Sequence, residues 1–182
     1  MEFSLELPEQ DYNPDDIFTQ FGRAVYLALR FEEQCSGLAF LAGFPNPQKV
    51  LSNETQMGSF AVELENRLRE PNLADSLQFL RSLSQKSSPE IQKAGSTDLL
   101  NKILNKARKA RNELLHSPGP FFPTGEVTPE MDSELFHTAL VDLAGGHRAV
   151  VLLASGILQN PITNFEQAQS YPEDVLSWVL GS

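Results

Sequence analysis

Apolar side chains recur at three- and four-residue spacing along most of the chain, the period of helices that bury one face, and strand-like alternation is absent. The first predicted helix opens at Asn13-Pro14-Asp15-Asp16, where an N-cap Asn, a Pro at the first helical position and two acids meet the positive helix end. It should run to about Gly43, with Phe18, Phe21, Val25, Ala28 and Leu29 on its inner stripe, until Phe44-Pro45-Asn46-Pro47 stops it. Further helices are expected around 55–69 and from Asn72 to Gln85, the latter carrying Leu73, Leu77, Leu80 and Leu83. Ser87-Ser88-Pro89-Glu90 has the form of a capping box, after which a helix over 97–116 ends at Ser117-Pro118-Gly119-Pro120. A Pro/Gly-rich loop over 117–128 leads to Thr128-Pro129-Glu130 and a long helix over 129–158, with Phe136, Leu140, Leu143, Val150, Ala154 and Leu158 on one stripe. A short helix over 171–180 closes the series. The pattern predicts an all-α, up-and-down four-helix-type bundle with short additional helices, a single domain over 1–182.

Composition narrows the class. With 41% hydrophobic and 21% charged residues in 182, the chain suits one compact domain and needs no disulfide or structural metal to hold a core. Its single Cys35 cannot form an internal disulfide, no Cys/His cluster has metal-ligand spacing, and MEFSLELPEQ lacks the features of a signal peptide, so a cytoplasmic protein without cofactors is expected. The longest apolar run, Ala149 to Leu158, is about half the length that spans a bilayer, which argues against a membrane protein. A net charge of −10 argues against a surface that coats nucleic acid all round. However, no Lys or Arg precedes Arg23 or follows Arg148, so positive charge is confined to the middle of the chain.

That confinement turns attention to the helix over 97–116. On a wheel of about 100° per residue, Leu100, Leu104, Ala107 and Leu114 fall within a sector of about 80°, and Arg111 lies inside it. A guanidinium in an apolar stripe must snorkel, pair with an acid or line a cleft. On the first helix Glu32 and Ser36 continue the predicted inner stripe, so an interhelical pair between Arg111 and Glu32 is expected. Asn112 and His116, four residues apart, share a face bordering Arg111. Lys102, Lys106, Arg108, Lys109 and Arg111 are five of the 14 bases, with no acid among them, and favour an anionic ligand.

The segment Ala110-Arg111-Asn112-Glu113-Leu114-Leu115-His116, near the end of a long helix, resembles the signature of the HEPN superfamily: Arg, a polar residue, and a His a few positions on. The resemblance implies a four-helix bundle and a metal-independent endoribonuclease of a toxin, phage-defence or stress system, acting as a dimer whose two motifs face a shared cleft. It makes Arg111 and His116 catalytic, Asn112 and Glu32 supporting, and Lys102, Lys106, Arg108 and Lys109 guides for the RNA backbone. These residue types suit the chemistry: His exchanges a proton near neutral pH, Arg stabilises the extra charge of a pentacoordinate phosphate, and Asn orients either. Some members carry a Tyr two residues after the His that a partner protein modifies; here that position is Pro118, so any antitoxin would act differently. The superfamily also has non-catalytic members, and the mannitol operon repressor family has a similar helix end. The alternative expectation is therefore a helical regulatory or protein-interaction module that keeps the motif for structure.

Other notable residues read as structural. His147, on the inner stripe of the helix over 129–158, is expected to be a hydrogen-bonded interior residue and not a ligand, and His137 beside the stripe has no assigned role. Cys35 reads as a small buried side chain, and Phe121 and Phe122 as anchors of the Pro/Gly loop on the bundle.

Overall fold

The computed structural model describes residues 5–7, 16–42, 62, 76–78, 96–122, 131–158 and 165–181. They form an all-α bundle of α1 (Ile17–Ala42), α2 (Ser96–His116), α3 (Ser133–Leu158) and α4 (Phe165–Leu180), with a single 3-10 turn at Gly119–Phe121. Helix α3 packs against each of the other three, while α2 and α4 each also rest on α1. Val62 and residues 76–78 are helical too; the rest of the predicted helices over 55–69 and 72–85, and the capping box at 87–90, lie outside the described residues. No helix of the described residues is long and apolar enough to cross a membrane.

The helix starts are set by side chains more specific than the sequence pattern suggested. Asp16, and not Asn13, caps α1: its carboxylate accepts from the Thr19 amide at 3.0 Å and the Thr19 hydroxyl at 2.8 Å. The Thr19 hydroxyl first, and the Thr19 and Phe18 amides after it, hold the Asp16 carboxyl below its ordinary range against a small opposing effect of desolvation. Helix α3 begins at Ser133 and not at Pro129, because Asp132 accepts from the Leu135 amide at 2.9 Å and so provides the cap. Helix α4 begins at Phe165, earlier than the expected 171, and runs through Pro172. Pro172 forfeits one backbone bond, but Tyr171, Val175 and Val179 are all fully buried, and that packing carries the helix past the loss.

The inner face of α1 also differs from the expectation. Ala24, Leu27, Ala28, Phe31, Cys35 and Leu38 point into the core, whereas Phe18 and Leu29 are 68% and 52% exposed and Phe21 and Val25 half-buried. Apolar residues occur nearly all round this helix, so periodicity alone favoured the bulkier stripe. The small stripe is inside because it lets neighbours approach closely. Gly146 of α3 shows the same requirement: a Cβ there would sit 2.2 Å from the Cβ of Ala107 in α2 and 3.1 Å from the Phe31 ring in α1. The three longest of the described helices therefore meet at a junction built for a bare backbone.

Candidate functional site

The Leu104, Ala107, Ala110 and Leu114 side chains bury one face of α2, which fixes the helix so that Arg111, on the edge of that face, reaches α1. The predicted interhelical pair is present. Arg111 Nε donates to Glu32 Oε2 at 3.1 Å, and Nη2 donates to the same oxygen. The two side chains are only 12% and 8% exposed, so the pair is largely withdrawn from water. The other terminal nitrogen, Nη1, donates to Asn112 Oδ1 at 2.9 Å and to His116 Nε2 at 2.8 Å. All four residues assigned to the centre of the site are thus joined through one guanidinium.

This arrangement fixes the state of His116. Arginine nitrogens only donate, so Nε2 must accept, and in this geometry the ring proton sits on Nδ1. Four of the five Arg N–H groups are used, two by Glu32 and one each by Asn112 and His116. A phosphate that binds Nη1 would take the place of Asn112 or His116 there, and the fifth N–H, on Nη2, is left over for a second contact. Asn112 and His116 are exposed, whereas Glu32 is buried, so the replaceable partners lie on the solvent side and the permanent one on the core side.

The chain beyond His116 is pinned. The Ser117 amide donates to the Glu113 carbonyl at 3.2 Å, Pro118 and Pro120 offer no amide hydrogen, and the 3-10 turn then carries Phe121 into the core. Phe121 is fully buried and Phe122 half-buried; the ring of Phe21 in α1 lies 6.3 Å from the first and 5.2 Å from the second, centre to centre. Phe136 of α3 completes the cluster, 6.0 Å from Phe121. The two phenylalanines are anchors, as expected, and they hold the loop next to His116 against the bundle. Phe21 in that clasp was not foreseen, since its partner residues come from two other elements.

The basic residues divide into two groups. Lys102, Lys106 and Lys109 form an exposed ridge within about 60° of the wheel, with His116 beside it. Lys106 pairs with Asp142 of α3 at 3.4 Å and Lys109 with Glu113 at 3.6 Å. These are surface pairs of small worth, which a stronger anion can replace. Arg108 lies on the other side, three residues before Arg111 and four before Asn112, also exposed. The Glu113 neighbour is visible in the sequence as an i,i+4 spacing; Asp142 is not, because it arrives from another helix.

The remaining candidates are structural. Cys35 is fully buried, and burial, then the nearby Glu32 carboxylate, push its thiol well above the ordinary range, leaving it protonated and unreactive. His147 is 3% exposed, its Nδ1 2.5 Å from the Tyr171 hydroxyl, the interior hydrogen-bonded residue that was expected. His137 is exposed. Among the described residues no three His, Cys, Asp or Glu side chains gather in a way that could hold a metal ion. Comparison of the chain with protein-family models, with curated proteins and with solved structures finds no match.

Proposed function

We propose that the protein is a HEPN-like, metal-independent endoribonuclease of a toxin, phage-defence or stress system, acting as a dimer. The observation that carries this reading is the hydrogen bond from Arg111 Nη1 to His116 Nε2 at an exposed helix end. It places an anion-binding donor and a proton acceptor on adjacent atoms, as RNA cleavage by the neighbouring 2′-hydroxyl requires. An RNA phosphate taking Nη1 releases His116 Nε2 with its lone pair free. That nitrogen takes the 2′-hydroxyl proton while O2′ bonds to phosphorus; the bond from phosphorus to the 5′-oxygen breaks, and the leaving oxygen takes a proton from solvent. Arg111 and Asn112 stabilise and orient the phosphate oxygens, Glu32 holds Arg111 in place, and Lys102, Lys106, Arg108 and Lys109 receive the flanking backbone.

The test is cleavage of mixed RNA by the purified protein in EDTA, with products carrying a 2′,3′-cyclic phosphate. His116→Ala should lower the rate at least about 100-fold, the scale of a lost general acid or base, with the melting temperature nearly unchanged. Absence of cleavage by the natural sequence, or a rate undiminished in both His116→Ala and Arg111→Ala, overturns the enzyme. One observation favours a second reading in that event: four of Arg111's five N–H groups are already satisfied within the chain. A guanidinium so occupied suits a regulatory or protein-interaction module in which the cluster only fastens the end of α2 to α1.

A further inference from the structure

Arg111 is well positioned by Glu32 but is also neutralised by it. The two side chains are 12% and 8% exposed, so little water lies between or around them and each cancels most of the other's field. Such a pair offers an approaching phosphate hydrogen bonds but little net attraction. RNA cleavage by the 2′-hydroxyl needs more than that, because the pentacoordinate phosphorus carries one negative charge beyond that of the diester. Positive charge that no acid of the chain already answers is required beside Arg111.

Among the α2 cations within two turns of Arg111, most are answered. Arg111 has Glu32, Lys109 has Glu113 at 3.6 Å, and Lys106 has Asp142 at 3.4 Å. His116, whose Nε2 accepts from Arg111, brings no positive charge in this geometry. Arg108 is exposed and has neither an acid nor a hydrogen-bond partner among the described residues. Lys102 is unpaired as well, but it lies nine residues before Arg111, about 13 Å along the axis.

Arg108 also stands in the right place. It precedes Arg111 by three residues and Asn112 by four, spacings that leave about 5–6 Å between Cβ atoms. Arg108, Asn112 and His116 form one stripe at four-residue intervals, with Arg108 and His116 each about 40° from Asn112 on the wheel. Arg111 Nη1 lies over the last two of these, donating to both. A phosphate that displaces either from Nη1 therefore lands on this stripe, with His116 toward one end and Arg108 toward the other. The lysines at 102, 106 and 109 occupy the neighbouring face, farther round the helix from Arg111.

We infer that Arg108 is a catalytic residue, the second guanidinium on the phosphate that is cut, and not only a guide for the flanking backbone. The inference rests on the ribonuclease reading. Arg111 fixes the phosphate through Nη1 and the remaining Nη2 hydrogen, and Arg108 supplies the positive charge that Glu32 cancels at Arg111. Arg108 exchanges no proton; its hydrogen bonds strengthen as negative charge accumulates on the phosphate oxygens.

The experiment uses the full chain and a dinucleoside monophosphate, whose single phosphate leaves nothing for a backbone guide to hold. In EDTA the natural sequence should cut it, and Arg108→Gln should lower kcat/KM at least about 100-fold, the scale of a lost transition-state donor, on the dinucleotide and on long RNA alike. The melting temperature should be unchanged, since the side chain is exposed and unpaired among the described residues. Binding is read separately with the 2′-deoxy dinucleotide, which has no nucleophile. In an NMR titration it should shift the His116 ring signals of the natural sequence, with an affinity at least about 10-fold weaker in Arg108→Gln. A loss confined to long RNA, or a variant that cuts and binds the dinucleotide as the natural sequence does, overturns the proposal and leaves the ribonuclease standing. A natural sequence that binds the deoxy form through Arg108 but cuts no RNA overturns the ribonuclease and with it the catalytic role, and one that neither binds nor cuts overturns the phosphate site as well.

Discussion

Arg111 has a buried partner on one side and exposed ones on the other, and this asymmetry determines what its removal does. Arg111→Ala strands the Glu32 carboxylate, 8% exposed, without its counter-charge, and leaving a buried charge unpaired costs about 3–5 kcal/mol. Removing Glu32 as well takes the stranded charge away, so the double alanine variant should be more stable than Arg111→Ala alone, a recovery that urea unfolding measures directly. Strict additivity of the two single losses would show that the pair is not coupled. His116→Ala should shift stability by no more than about 0.5 kcal/mol, since the ring is exposed and only shares a donor. The Arg111–Glu32 pairing is legible in the sequence because each charge interrupts an apolar phase. The contact of Arg111 with His116 is less so: five residues put them about 140° apart on the wheel, and only the length of the arginine side chain closes the gap.

The helices themselves were legible where an apolar period ends in a strong stop, as at Ser117-Pro118 after α2, and less so where side chains compete to begin one. Asp16 and Asp132 open α1 and α3 by hydrogen bonds to amides three residues on, which depend on geometry that no residue type announces, while Asn13 and Thr128 lie outside the described residues. The inward face of α1 was misread for a related reason. Bulk suggested Phe18 and Leu29, but closeness of packing selected Ala24 and Ala28, and how closely helices approach is a property of pairs of elements. The adjacent glycines of α3 separate these influences. Gly146→Ala drives a Cβ to 2.2 Å from that of Ala107, which no rotamer change relieves, and should cost about 1–3 kcal/mol in unfolding free energy as α2 and α3 are forced apart. Gly145→Ala meets only the Ile103 methyl at 3.8 Å, ordinary contact, and should be neutral or stabilise the helix by up to about 1 kcal/mol. Equal effects at the two positions would refute the close junction.

Across the whole molecule, α4 is fastened to the rest of the bundle by polar groups as well as by its apolar face. Arg23 of α1, 7% exposed, donates from Nη1 to the Trp178 carbonyl at 2.7 Å, meeting the negative end of α4, and lies 5.5 Å from the centre of the Trp178 ring. Gly181, at φ 74°, completes that end by donating to the Ser177 carbonyl at 2.8 Å. The second fastening joins His147 of α3 to Tyr171, and it makes stability depend on pH. Burial, and after it the positive charge of Arg30, lower the His147 pKa from 6.5 to about 3; burial raises that of Tyr171, with Tyr26 and Asp174 also nearby, so both stay neutral at pH 7. The unfolded chain takes up a proton at position 147 as the pH falls below about 6.5, while the folded one refuses it until about 3. Stability is therefore lost on acidification between those limits, by up to about 1.4 kcal/mol per pH unit. Urea unfolding of the natural sequence and of His147→Gln isolates this group from the carboxylates, which titrate alike in both. The variant should be the less stable at pH 7, lacking the ring and its bond to Tyr171, and its deficit should shrink by about 3 kcal/mol by pH 4, because it has no imidazole whose protonation the fold opposes. A deficit that stays constant over that range would mean that His147 accepts its proton in the folded state as readily as in the unfolded one, and that α4 docks with equal strength in acid.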